Sequence, residues 1–418
     1  MKKERNSKQD KLINPVLPPG VKDILAVEAK ELKSIKKRLA KVYESWGYEE
    51  VFTPAFEYFD VLSLQAGERI KKEMFKFFDD RGDLLALRPD MTISIARLVS
   101  QKVSEESLPL RLYYQSNVFR QQKPLQGQPR EFWQSGVELI GGKQTAVDAE
   151  LIMMLIETLK ALNLDNFKIG LGSVGFVKAL LSAFNKDGSK LKTYLAQKNL
   201  VTVNKMLASN KSAAAKNLKR VLGLRGDKAL LQAKKLSLNK KASQELASLN
   251  KVANLLKKLG YDKYITYDFS LVPDFEYYTG VVFEVYIEGV GLEVASGGRY
   301  DNLLSNLGRP FNAAGFAIGL ERLHMAIVSQ GQVLVERKTK IILSGSLSDE
   351  LYNFATDARK QNKIVKIFAG PVKNPKKLLT EKKAKWFVKL GKDKAEIIGV
   401  KDRKTISKAQ LRRWLKNA

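Results

Sequence analysis

Val118-Phe119-Arg120-Gln121-Gln122-Lys123-Pro124-Leu125-Gln126-Gly127-Gln128-Pro129-Arg130-Glu131-Phe132-Trp133-Gln134-Ser135-Gly136-Val137-Glu138 is the stretch on which the reading of this chain turns. It takes over from a strand-like run, Leu110 to Arg120. Upstream, Gly47-Tyr48-Glu49-Glu50-Val51-Phe52-Thr53-Pro54 reads as a helix stop followed by a strand that the proline ends. Phe75 to Asp79 and Leu84 to Leu87 read as further strands. Few of these strands are separated by the complete helix that a βαβ unit requires. The expectation is an α+β fold, with a mainly antiparallel sheet and helices packed against it.

Working outward, Ala26 to Trp46 is predicted as an amphipathic helix, with Leu32, Ile35, Leu39, Val42 and Tyr43 at 3–4 spacing. Thr145 to Leu162 is predicted as a second helix, turned at Leu164-Asp165-Asn166. Residues 174–262 are nearly all helix-like, and sheet-like sequence resumes at Tyr264 to Leu271, so this block reads as a helical insertion. The sheet-bearing core is then 1–173 together with 263–329. Residues 330–418 form a third unit, a small basic α/β domain. Its strands are expected at Lys340–Ser344, Val365–Phe368, Trp386–Leu390 and Ile397–Val400, with a helix at Asp349–Gln361.

Composition narrows the function classes. At 418 residues there is room for two or three domains, and 44% apolar residues in short runs describe a soluble globular chain. No run approaches the roughly 18 to 20 apolar residues of a membrane span, so no membrane association is expected. The charged N-terminus lacks an apolar region after it, which argues against a secretory signal and for the cytoplasm. Zero cysteines exclude disulfides and thiolate metal sites, and a single histidine, His324, argues against a histidine metal cluster. The net charge of +29 is concentrated: residues 171–260 carry 19 Lys/Arg against 3 Asp/Glu, and residues 331–418 carry 23 against 8. Such charge suits a polyanion partner. Lysine far outnumbers arginine, however, and no basic run is interleaved with aromatics, which favours a solvated surface.

Several motifs stand in order along the chain. They are Leu17-Pro18-Pro19-Gly20-Val21-Lys22-Asp23-Ile24; the helix and strand ending at Pro54; Leu87-Arg88-Pro89-Asp90-Met91-Thr92; and the 118–138 stretch. Leu271-Val272-Pro273-Asp274-Phe275-Glu276-Tyr277-Tyr278-Thr279-Gly280, Ser296-Gly297-Gly298-Arg299-Tyr300-Asp301 and Gly315 to Leu323 follow. Together they resemble the histidyl-tRNA synthetase family over almost the whole chain, and the resemblance implies a class II aminoacyl-tRNA synthetase-like core. The segment ending at Pro54 is similar to motif 1, which implies a self-dimer through that region.

Carried over by that resemblance, the residues that would hold histidine are present. An ammonium needs a carboxylate, so Asp90 would take the α-amine, with Thr92 beside it. The substrate carboxylate needs a cation, which Arg120 and Arg322 supply. Glu138, Gln134, Tyr277, Tyr278 and Tyr300 would surround the imidazole. The departures fall on nucleotide and tRNA contacts. Gln122 stands for a glutamate, Leu125 and Gln128 for the Gln and Arg of the motif 2 loop, and Glu276 for an aspartate. Pro273 stands where the family has the arginine that assists attack on ATP, and proline offers neither charge nor an N–H. Loss of one donor aimed at developing charge commonly costs about 10²–10³ in rate. Asp274, in place of glycine, puts an acid where phosphate would be repelled.

This combination is similar to the regulatory subunits of ATP phosphoribosyltransferase, a synthetase-derived branch that serves the first step of histidine biosynthesis. The likeness implies no catalytic residues of its own, no cofactor and no metal. It also implies a hetero-oligomer with a short-form catalytic subunit, with L-histidine as feedback effector, and specific tRNA binding is not expected. The C-terminal unit resembles a shortened anticodon-binding domain, which keeps an active histidyl-tRNA synthetase as the alternative.

Overall fold

The periodicity seen in the sequence becomes helix α1 (Ala26–Ser45) in the computed structural model of the chain, which describes residues 16–122, 129–273, 275–332, 340–346 and 348–417. Leu32, Ile35, Leu39 and Tyr43 form its buried stripe, and Gly47, at φ +78°, turns the chain out of the helix. The chain divides into two compact units, Met1–Leu334 and Val335–Ala418.

In the first unit the chain continues through β1 (Glu49–Glu50), β2 (Phe56–Tyr58), α2 (Phe59–Leu62), α3 (Glu68–Glu73), β3 (Lys76–Phe78), β4 (Leu84–Leu87) and α4 (Thr92–Lys102). Then come β5 (Leu110–Phe119), β6 (Glu131–Ile140), α5 (Gln144–Lys160) and β7 (Phe167–Ser173). After six further helices follow β8 (Ile265–Tyr267), β9 (Val281–Ile287), β10 (Ala295–Arg299), β11 (Ala313–Gly319) and α12 (Leu320–Ser329). Eight strands form the main sheet in the order β1-β5-β6-β11-β10-β9-β7-β8. Its pairings are antiparallel except at the two edges, where β1 runs parallel to β5 and β8 parallel to β7.

Two expected strands are much shorter in the structure, and two others lie elsewhere. The strand expected through Pro54 keeps only Glu49 and Glu50. Downstream, buried Arg88 takes the carbonyls of Thr53 (2.7 Å) and Pro54 (3.1 Å), so a side chain satisfies groups that a ladder would have paired. The Tyr264–Leu271 run likewise keeps only three strand residues. The segments around 75–79 and 84–87 leave the main sheet and form a three-stranded sheet, β2-β4-β3.

Between β7 and β8 lie α6 (Val174–Leu181), α7 (Asn185–Ala196), α8 (Leu200–Ser209), α9 (Ala213–Leu222), α10 (Ala229–Ala233) and α11 (Lys240–Lys258). Local chemistry explains several of their starts. Ser173, Asn199, Ser212 and Asn239 each accept an N–H from three residues on. α11 packs against α5 and α6.

The second unit runs β12 (Lys340–Gly345), α13 (Asp349–Lys360), β13 (Ile364–Ala369), α14 (Pro375–Glu381), β14 (Trp386–Leu390), β15 (Lys394–Ile398), β16 (Arg403–Ser407) and α15 (Lys408–Asn417). Its sheet order is β13-β12-β14-β15-β16. The strand expected at Ile397–Val400 is β15 and begins three residues earlier. β16, α14 and α15 were hidden in the sequence by their lysines and arginines. One core joins α13 and α15 to the sheet, and a second joins Leu378 and Leu379 of α14 to Ile342, Phe387 and Ile398.

Candidate functional site

Two buried carboxylates anchor the site. Asp90 lies just before α4; its Oδ2 accepts the Tyr277 hydroxyl at 3.0 Å and its Oδ1 the Ile93 N–H at 3.5 Å. Glu138 lies on β6, with only 1% of its surface exposed. It accepts the Thr92 hydroxyl at 2.8 Å and the Tyr300 hydroxyl at 2.5 Å. Burial raises Asp90 to about 6, opposed first by the charge of Arg120. Burial raises Glu138 to about 8, opposed by its two hydroxyl donors and reinforced by nearby Asp90. Hydroxyls hold these acids, and hydroxyls can rearrange when a stronger donor arrives.

The backbone makes room for this. Across the β6–β11 ladder Glu138 faces Gly315. A Cβ at Gly315 would stand 1.9 Å from Glu138 Oε2 and 2.4 Å from the Val137 carbonyl. On the same strand as Glu138, a Cβ at Gly136 would meet the Tyr114 hydroxyl at 2.4 Å. The Gln134 side chain lines the cavity, and its Oε1 is buried with no hydrogen-bond partner.

Arg120 follows β5. Its Nε donates to the Pro89 carbonyl at 3.0 Å, and its guanidinium lies 5.4 Å from the Phe132 ring and 5.4 Å from the Phe275 ring. Phe275, Tyr277, Tyr278 and Tyr300 form one aromatic group, Tyr277 touching the other three at 5.0, 4.8 and 5.6 Å between ring centres. Together these side chains enclose a cavity of about 50 Å³ lined by Asp90, Thr92, Arg120, Gln134, Tyr277, Tyr278 and Tyr300. Glu138 lies against it through Thr92 and Tyr300. Eight of the nine residues named from the sequence are thus brought together.

Arg322 is the ninth. It sits in a neighbouring cavity of about 230 Å³, where its Nη1 donates to the Glu293 carbonyl at 2.7 Å and the Glu293 carboxylate at 3.0 Å. That second cavity shares Arg120, Gln134, Ser296 and Ala317 with the first and adds Gln122, Phe132 and Glu321. Sequence reasoning missed Tyr114, Ser296 and Phe316 as wall residues of the first cavity. The signal for Tyr114 was available, since Gly136 interrupts an otherwise bulky strand where the tyrosine needs space.

Pro273 lines a third cavity, which meets the first along Phe275 and Tyr278. Glu276 is exposed, 3.6 Å from Lys192. Asp274, Leu125 and Gln128 lie outside the described residues. Arg299, from the Gly-Gly-Arg-Tyr-Asp motif, is structural: it is 3% exposed and bonded to Asp148 and Asp301. Among the described residues, no group of three or more His, Asp or Glu is placed to hold a metal ion, and no helix is long and apolar enough to cross a membrane.

The sequence pattern of the family described as histidyl-tRNA synthetase matches residues 20–323. The chain belongs to the histidyl-tRNA synthetase family, on the branch of the ATP phosphoribosyltransferase regulatory subunits. Its place on that branch follows from relatives that bear the name. One from Halothermothrix orenii is 40% identical over 325 residues, covering 76% of this chain and 77% of the relative. Another from Moorella thermoacetica is 41% identical over 320 residues, covering 74% and 81%. A crystal structure from Bacillus halodurans, titled as an ATP phosphoribosyltransferase regulatory subunit/histidyl-tRNA synthetase, superposes with a TM-score of 0.78 at 33% identity, covering 91% of this chain and 98% of that one. Apo histidyl-tRNA synthetase from S. aureus, at 22% identity, shares the fold with a TM-score of 0.68 over 96% of this chain and 99% of its own.

Proposed function

We propose that this chain is the non-catalytic regulatory subunit of ATP phosphoribosyltransferase, working with a short catalytic subunit in the first step of L-histidine biosynthesis and binding histidine to inhibit the complex. The carrying observation is the first cavity, where buried Asp90 lies beside aromatic rings and Arg120, with buried Glu138 against it behind the hydroxyls of Thr92 and Tyr300. Burial that raises both acids is relieved by an incoming cation, so an ammonium-bearing ligand gains from the site. A pocket of paired polar groups also rejects analogues that lack those groups. Asp90 takes the α-amine with Thr92 beside it, Arg120 takes the carboxylate, and Glu138, Gln134, Tyr277, Tyr278 and Tyr300 surround the ring.

The regulatory rather than catalytic role is supported by Pro273, which removes the family's cation at that position. The decisive measurement is histidine-dependent ATP–pyrophosphate exchange run beside histidine calorimetry. Binding without exchange is the expected result. Exchange at a rate typical of synthetases replaces this reading with an active histidyl-tRNA synthetase.

Self-association through the motif 1 region belongs to the same proposal. Phe52 is 73% exposed in that region, and Phe56, Tyr58 and Phe78 on β2 and β3 are 52–71% exposed, apolar surface that a dimer would cover. Light scattering on the isolated chain checks it, a dimer being expected. Specific tRNA binding is not part of the proposal, because the basic surface is mostly lysine. Its affinity for tRNA should collapse between about 50 and 200 mM salt in a filter-binding titration.

A further inference from the structure

The third cavity, of about 140 Å³, opens where α3 meets α6, α7 and the segment carrying Pro273. Three cations reach it from three helices: Arg69 from α3, Lys178 from α6 and Lys192 from α7. Lys178 is partly buried, and its Nζ donates to the Tyr278 carbonyl at 2.6 Å. Burial and the like charge of Lys192 together lower its pKa, only partly offset by Glu276 and Glu245. Among the described residues, the two acids of the lining do little for it. Glu276 is a half-exposed partner of Lys192 at 3.6 Å, and Glu68, exposed at 79%, is bonded to Lys71 at 3.1 Å.

We propose that this cavity is an oxyanion site that takes a phosphate or diphosphate group between Lys178 and Lys192. An anion there turns the mutual repulsion of two ammonium groups into two attractions, in surroundings where charge is poorly screened. Lysine ammoniums are compact point charges with three donors each, which suits a phosphate oxygen approached from several directions. Glu276, on the exposed side of the segment, is the counter-ion that the anion displaces. Lys178 is already oriented by the Tyr278 carbonyl, so little ordering remains for binding to impose. The cavity shares Phe275 and Tyr278 with the amino-acid cavity. An anion in the third cavity therefore presses on the same wall as a ligand in the first.

The test is calorimetric titration of inorganic pyrophosphate, with inorganic phosphate in parallel, into the full chain at about 150 mM salt, where long-range surface attraction is screened. The variants are Lys192→Gln, Lys178→Met and Arg322→Ala. One of the two anions is expected to bind at one per chain, to weaken by about 10-fold or more in Lys192→Gln, and to be unchanged in Arg322→Ala. Lys178→Met removes the bond to the Tyr278 carbonyl and risks the fold. Lys192→Gln is therefore the deciding variant, and its melting temperature without anion should stay close to the wild type because the ion pair it gives up is with half-exposed Glu276. Neither anion binding to the wild type, unchanged affinity in Lys192→Gln, or loss that follows Arg322→Ala instead overturns the proposal.

Discussion

The first and second cavities lie side by side and share Arg120, Gln134, Ser296 and Ala317, yet their charges are arranged in opposite ways. In the first, the acids are buried, each accepts at least one neutral hydroxyl, and burial holds their pKa values high even with Arg120 near Asp90. In the second, the cation Arg322 is already bound to both the carbonyl and the carboxylate of Glu293; burial pushes that carboxylate up, and the charge of Arg322 leads the effects that bring it below its ordinary value. A site whose acids await a stronger donor is ready for a cationic ligand. The difference teaches that the neighbour that pairs with a motif residue decides how its charge is spent.

The sharpest way to break this comparison is Glu138→Ala. Leaving a buried N–H donor without its acceptor should cost about 1–3 kcal/mol, or about 5- to 150-fold in histidine affinity. Assembly with the catalytic subunit should persist on size-exclusion chromatography. Unchanged inhibition of phosphoribosyl-ATP formation across a histidine titration would remove Glu138 from the site. Next is Gly315→Ala, whose Cβ would stand 1.9 Å from Glu138 Oε2. Overpacking of that kind costs about 1–3 kcal/mol, and denaturant midpoints together with calorimetry should show weaker folding and weaker histidine binding.

A smaller effect comes from pH. Glu138 is held at about 8 against an ordinary 4.5, so the folded chain binds that proton more tightly than the unfolded chain does. Its contribution to stability is complete below about 4.5 and is lost as pH rises through about 8, with a slope of at most about 1.4 kcal/mol per pH unit. Glu138→Gln should flatten the fall in melting temperature between pH 6 and 8, and an unaltered profile would show that the raised carboxylate is not Glu138. The smallest effect sharpens the contrast. Arg322→Ala should leave histidine affinity within about twofold, since the side chain contacts Glu293 in the other cavity. A loss of tenfold or more would return Arg322 to the amino-acid site.

Much of this was legible in the sequence for a local reason. The 3–4 spacing of Leu32, Ile35 and Leu39 writes α1 into one turn after another. Ser173, Asn199, Ser212 and Asn239 mark helix starts within three residues of the groups they cap. The motifs likewise named the acids and tyrosines that the structure brings to one place. Other features were decided only by folding. Arg88 shortened β1 by reaching carbonyls 34 and 35 residues away. Tyr277 met Asp90 across 187 positions, Tyr300 met Glu138 across 162, and Glu293 claimed Arg322 from 29 positions upstream. Spacing along a chain fixes which residues share one face of a helix or strand. It carries no information about which side chain from another strand will stand 3 Å away, because that distance is set by how the sheet packs.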